Sequence, residues 1–185
     1  MNVANKLTIL RIILIPFFIA CFYIEALDYP IILFGTFATT YANFVGLLIF
    51  ALAAATDWLD GYLARKMDLI SDFGKFMDPL ADKMLTTAAF LIFIDQGLLS
   101  SWVVFIVLTR EFIVSGLRMS AASSGIVIAA GWSGKFKTVV QFVLIILLLL
   151  NPQLTVLNII MIYAMTLATV ISGAEYVMKN LDVLK

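Results

Sequence analysis

Six apolar runs, each near the ~20 residues that cross a bilayer core, constrain this chain more than any other feature. They fall near Leu7–Ile24, Thr39–Lys66, Asp72–Ile94, Trp102–Ser123, Ser133–Leu150 and Leu154–Met178. With 63% of 185 residues hydrophobic and 13% charged, a water-soluble core could not hide the apolar surface. The solvent is therefore lipid. The sequence predicts an all-α integral membrane protein of six transmembrane helices, one domain over 1–185 with a short interfacial segment at 1–6. The second run is longer than a bilayer needs, so its polar end projects or the helix tilts. Pro16 predicts either a kink in the first helix or a break into interfacial and crossing parts.

Loop charges orient the spans. One set of ends carries Lys6 and Arg11, then Arg65, Lys66 and Lys75, then Lys135 and Lys137, then Lys179 and Lys185. The opposite connections carry Glu25, Asp28 and Asp95, and the uncharged Asn151–Leu154. By the positive-inside rule both termini are cytoplasmic. Twelve basic and twelve acidic residues cancel, which excludes a generally basic nucleic-acid surface. The lone Cys21 excludes an intramolecular disulfide and a thiolate metal cluster. There is no histidine, so any general base or metal ligand must be another side chain, and aspartate leads.

Against this apolar background the run Asp57–Asp82 stands out, placing Asp57, Asp60, Asp78 and Asp82 in the flanks of two hydrophobic helices. An ionised carboxylate at membrane depth is costly and demands a compensating cation. Asp57 and Asp60 share a helix face at i, i+3, and Asp78 and Asp82 share another at i, i+4. A short polar turn over 66–71 joins the helices, with Ser71 or Asp72 suited to cap the second. At 1.5 Å per residue the two pairs lie ~8–14 Å and ~9–15 Å from that turn, so they are level. Four level carboxylates suit hard cations, Mg²⁺ or Mn²⁺, and could hold two of them around a phosphoryl group. Gly61, Ala64 and Gly74 leave room beside the acids for a phosphate or nucleotide to approach backbone. Arg65 is placed to neutralise a phosphate or tie down an aspartate. A solvated loop or a set of buried ion pairs is the plainer reading. A loop does not explain the pairing or the small residues.

The pattern Asp57-x2-Asp60-Gly61-x2-Ala64-Arg65-x8-Gly74-x3-Asp78-x3-Asp82 resembles the full signature of the CDP-alcohol phosphotransferase family, with all eight positions present. The resemblance implies a homodimer of six-helix chains. It also implies transfer of a phosphatidyl-type group from a CDP-linked donor to an alcohol. It makes Asp57, Asp60 and Asp78 metal ligands, and Asp82 the general base that also touches the second metal. It sets Gly61, Ala64, Arg65 and Gly74, with Asp57, Asp60 and Asp78, around the cytidine diphosphate. A carboxylate at the edge of a metal cluster accepts a proton more readily than one fully engaged by metal, which agrees with Asp82 as base.

The acceptor has to be read from other charges. Arg110, Glu111, Ser115 and Arg118 lie within about 140° of one another on the fourth helix, at 100° per residue. A water-facing stripe is the bland reading, but two arginines at that depth ask for anionic partners. Glu111 can serve one, leaving the other for a ligand phosphate. Lys135 and Lys137 open the fifth helix; as positive-inside anchors they need no further role. With Arg110 and Arg118 they make a cationic pocket that a phosphorylated acceptor needs and a neutral one does not. The stretches Asn5–Phe18, Thr109–Gly125 and Gly134–Gln141 resemble the branch of the family that uses sn-glycerol 3-phosphate, with CDP-diacylglycerol as donor. That resemblance implies Arg110, Arg118, Lys135 and Lys137 on the acceptor phosphate, and Asn5, Thr8 and Arg11 near the site entrance. Asn5 and Thr8 serve equally as helix-start residues.

Competing readings keep the chemistry with another acceptor, phosphatidylglycerol or an inositol phosphate, or make the chain an ion-coupled transporter. A transporter needs polar residues toward both faces, whereas these acids sit on one side. The expected location is a bacterial cell membrane, with the site on the cytoplasmic side.

Overall fold

The computed structural model describes residues 3–33, 35–66, 72–123, 131–150, 152–153 and 155–180. Within them, the side chains of 3–4, 58, 60–66, 72–76, 78–79 and 122–123 are outside the described set. The order is α1 (Val3–Ala20), α2 (Tyr41–Lys66), α3 (Asp72–Asp95), α4 (Ser101–Ser123), α5 (Trp132–Leu150) and α6 (Val156–Lys179). The expected helices are present to within a few residues. Of the turn expected over 66–71, Lys66 closes α2, and the rest, with the capping role for Ser71, lies outside the described residues.

Three features depart from expectation or choose between alternatives. Helix α1 begins at Val3, so residues 3–6 form its first turn. It also runs unbroken through Pro16, whose lost N–H costs one ladder bond. Between α1 and α2 the chain forms two 3-10 turns and an antiparallel hairpin, β1 (Pro30–Leu33) with β2 (Phe37–Thr40). Thr39 and Thr40, expected to open the second helix, belong to this hairpin instead. Gly35 makes its turn possible at φ +70°, a left-handed conformation that costs glycine nothing.

Three helical segments among the described residues are long and apolar enough to cross a membrane: Asn5–Tyr23, Trp132–Leu150 and Val156–Lys179. Helices α2, α3 and α4 are 26, 24 and 23 residues long, about 35–39 Å at 1.5 Å per residue, but each carries charge within it. Hydroxyls in these helices are largely self-satisfied. Ser115, Thr138, Thr166 and Thr169 each donate to the carbonyl four residues back, at 2.7–3.0 Å. Such bonds let a polar side chain sit in an apolar span.

The chain packs as two compact units, Met1–Asp95 with Leu149–Gln153, and Gln96–Leu148 with Leu154–Lys185. In the first, α1 packs on α2 and α3. Phe18 is fully buried and meets Phe22 edge-on at 5.2 Å and Phe50 at 6.4 Å. Gly46 permits this closeness, because a Cβ there would lie 2.5 Å from the Phe22 ring. Phe18 is level with Gly46 while Arg11, two turns earlier, is level with Ala53 and Asp57. Helices α1 and α2 are therefore antiparallel. In the second unit α4 packs on α6, through Val114, Leu117, Tyr176 and Val177.

In a packed core Phe→Ala costs about 3–5 kcal/mol. Phe18→Ala is expected to lower the Tm of the purified protein in detergent by several degrees. Phe17→Ala, at an exposed position beside it, is expected to change it little. Equal shifts would contradict the α1–α2 packing.

Candidate functional site

Two charge clusters rise from these helices, one in each unit. In the first, the C-terminal half of α2 carries Asp57, Asp60, Gly61, Ala64 and Arg65, and the first half of α3 carries Gly74, Asp78 and Asp82. The side chains of Asp57 and Asp82 are described and both are half-buried. Those of Asp60, Gly61, Ala64, Arg65, Gly74 and Asp78 are outside the described set, so convergence of the four carboxylates remains an expectation.

Around Asp57 the geometry is specific. The Arg11 guanidinium, from α1, places Nη1 2.7 Å from Asp57 Oδ1, and its Nε donates to the Ala53 carbonyl at 3.3 Å. The same carbonyl accepts the Thr56 hydroxyl at 2.7 Å. The Arg11 side chain is 0% exposed, whereas that of Asp57 is 45% exposed. Asn5 and Thr8 are also buried. The carboxylate is thus anchored on one oxygen and keeps an accessible edge. That is a fit for a hard cation, which takes carboxylate oxygens in flexible number and geometry.

In the second unit Glu111 Oε1 accepts from Arg110 Nη1 at 3.0 Å and from Lys137 Nζ at 2.6 Å. The Lys137 side chain is 3% exposed. One carboxylate thus answers a buried ammonium on α5 and one end of the Arg110 guanidinium. Gly173 of α6 gives Arg110 its path, since a Cβ there would lie 2.9 Å from Arg110 Cγ. Arg118 takes a different partner. Its Nε donates to the Tyr176 hydroxyl at 3.2 Å, and its guanidinium carbon lies 5.5 Å from the centre of the Tyr176 ring. Lys135 is exposed, its ammonium 5.6 Å from the Trp132 ring centre. Such contacts hold a cation in place without neutralising it.

The structure therefore joins Arg11 to Asp57, and Arg110 to Lys137 through Glu111. Arg118 and Lys135 are seated separately on aromatic rings. Sequence reasoning missed Gly173, Tyr176 and Trp132. Only Trp132 carried a readable signal, standing three residues before a lysine on a helix.

A model of the CDP-alcohol phosphatidyltransferase family matches residues 1–171. The chain is 39% identical over 189 residues to the CDP-diacylglycerol–glycerol-3-phosphate 3-phosphatidyltransferase of Bacillus subtilis (strain 168), covering 100% of this chain and 97% of that one. It is 38% identical to the protein of the same name from Escherichia coli (strain K12), covering 84% and 80% of the two chains. It is 40% identical to a probable phosphatidylglycerophosphate synthase of Mycobacterium tuberculosis (strain ATCC 25618 / H37Rv), covering 97% and 82%.

Breaking a buried ion pair by removing one partner costs about 3–5 kcal/mol. Lys137→Met is therefore expected to lower thermal stability markedly, and adding Glu111→Leu to recover part of it. Lys135→Met is expected to leave the unfolding temperature near the parent's. Equal stability of the two lysine variants would contradict the buried pair.

Proposed function

The chain belongs to the CDP-alcohol phosphatidyltransferase family, and from that premise we propose the specific transfer it performs. The phosphatidyl group of CDP-diacylglycerol passes to sn-glycerol 3-phosphate, giving phosphatidylglycerol phosphate and CMP. The observation that carries this reading is the similarity, over the whole of this chain and 97% of the other, to a Bacillus subtilis enzyme whose name states both substrates.

Asp57, Asp60, Asp78 and Asp82 are the residues that would hold two divalent ions, Mg²⁺ or Mn²⁺. Bound there, the ions supply charge neutralisation on the donor pyrophosphate and the transferred phosphoryl group. Gly61, Ala64 and Gly74 let the cytidine diphosphate approach helix backbone, and Arg65 pairs with its phosphate. Asp82 takes the proton of the acceptor's 1-hydroxyl. That oxygen attacks the phosphorus bearing diacylglycerol, the bond from this phosphorus to the CMP oxygen breaks, and CMP leaves.

Arg110, Arg118, Lys135 and Lys137 answer the acceptor's phosphate. Support comes from how they are held: Arg118 and Lys135 against aromatic rings, and Arg110 against a carboxylate it shares with Lys137. Lys137, buried, contributes its charge from within. We read the whole chain as one catalytic domain of six spans with both termini cytoplasmic, acting as a homodimer in a bacterial cell membrane. The cation-bearing ends of α1, α2, α3 and α5 support that orientation.

A hydrogen bond to a charged group contributes about 1.5–3 kcal/mol, roughly a 10–100-fold change in affinity. Arg118→Ala should therefore raise the KM for glycerol 3-phosphate by about that factor and leave the KM for CDP-diacylglycerol near the parent's. Equal shifts in both would remove Arg118 from the acceptor site. CMP release that survives chelator and Asp78→Asn would contradict the metal role.

A further inference from the structure

Helix α1 carries a buried polar stripe that the transfer chemistry leaves without a role. Asn5, Thr8 and Arg11 recur every three residues, within about 120° of one helix face at 100° per residue. All three are buried, and none is without a partner. An entrance would place them in contact with water. Arg11 instead has no exposed surface at all.

We propose that Arg11 is a positioning residue, which fixes the Asp57 carboxylate in the orientation that receives a divalent cation. The inference rests on the reading of Asp57 as a metal ligand. Ala53 and Asp57 are one turn apart on α2, and the Arg11 guanidinium spans that turn, Nε on the Ala53 carbonyl and Nη1 on Asp57 Oδ1. The hydrogen bond to Ala53 seats the guanidinium, and Nη1 then meets Asp57 Oδ1 at ion-pair distance, so the positive charge that the carboxylate turns toward has a set place. The asymmetry of burial gives the direction of the effect. The cation is wholly enclosed while the acid keeps nearly half its surface open, so the acid is the group presented. Partners that orient a ligating carboxylate commonly change metal affinity or activity by 10–100-fold when removed.

Mn²⁺ binding to the purified protein, followed by electron paramagnetic resonance without substrates, tests this apart from turnover. Arg11→Met is expected to weaken Mn²⁺ binding about 10–100-fold. Arg11→Lys keeps the charge but lacks the fork, and is expected to weaken it by a smaller factor. Phe18→Ala, destabilised elsewhere on the same helix, is expected to bind as the parent does. Should Arg11→Met fail to fold, Arg11→Lys decides: weakened binding supports the proposal and parental binding overturns it. Tighter binding by Arg11→Met, or an equal loss in Phe18→Ala, also overturns it. A parent chain that binds no Mn²⁺ overturns the metal reading of Asp57 and this inference together. A binding parent with unchanged Arg11 variants overturns the inference alone.

Discussion

A charge inside a bundle of apolar helices has to be answered by an opposite charge at contact distance, and both units of this protein are organised around that requirement. Among the described residues, Arg11 in the first and Lys137 in the second are cations buried almost completely. Each cation is held by a carboxylate on a neighbouring helix, Asp57 and Glu111. Lipid offers no hydrophobic drive for helices to associate, so polar contacts and close packing set which faces meet. The ion pairs therefore tie helices together and fix which charges stay available. In the first pair the acid keeps an exposed edge. In the second the acid is shared between Lys137 and Arg110, while Arg118 and Lys135 rest on aromatic rings.

Small residues make these contacts reachable. Gly46 lets α1 close on α2 at the aromatic end, which brings Arg11, two turns along, level with Asp57. Gly173 clears the path of the Arg110 side chain over α6. Neither glycine brings a functional group of its own, yet each sets where a functional charge can lie. The proposed division, acids for the ions and donor and cations for the acceptor phosphate, follows from two local solutions to one electrostatic problem.

The helices were legible because a bilayer imposes a length on every apolar run, and length can be counted along a sequence. The hairpin at 30–40 was not. Its strands are four residues each, too short for alternation to stand out between long apolar runs. That the four aspartates ride on two helices, α2 and α3, was legible from the apolar runs around them, and residues three and four apart then share a helix face. The Arg11–Asp57 pair was not, because it joins residues 46 apart in sequence through a helix–helix register that no local pattern encodes. Glu111 was half-legible. Its adjacency to Arg110 was visible, but the Lys137 contact depends on how α4 and α5 pack.

The central claim, a phosphatidyl transfer whose acceptor must carry a phosphate monoester, is tested most directly by identifying the lipid product by mass. Purified protein would be incubated with CDP-diacylglycerol and, separately, glycerol 3-phosphate, glycerol, inositol, an inositol phosphate and phosphatidylglycerol. The account predicts phosphatidylglycerol phosphate from glycerol 3-phosphate and no comparable product from the neutral alcohols. Efficient product formation with glycerol, inositol or phosphatidylglycerol, or none with glycerol 3-phosphate, would contradict it.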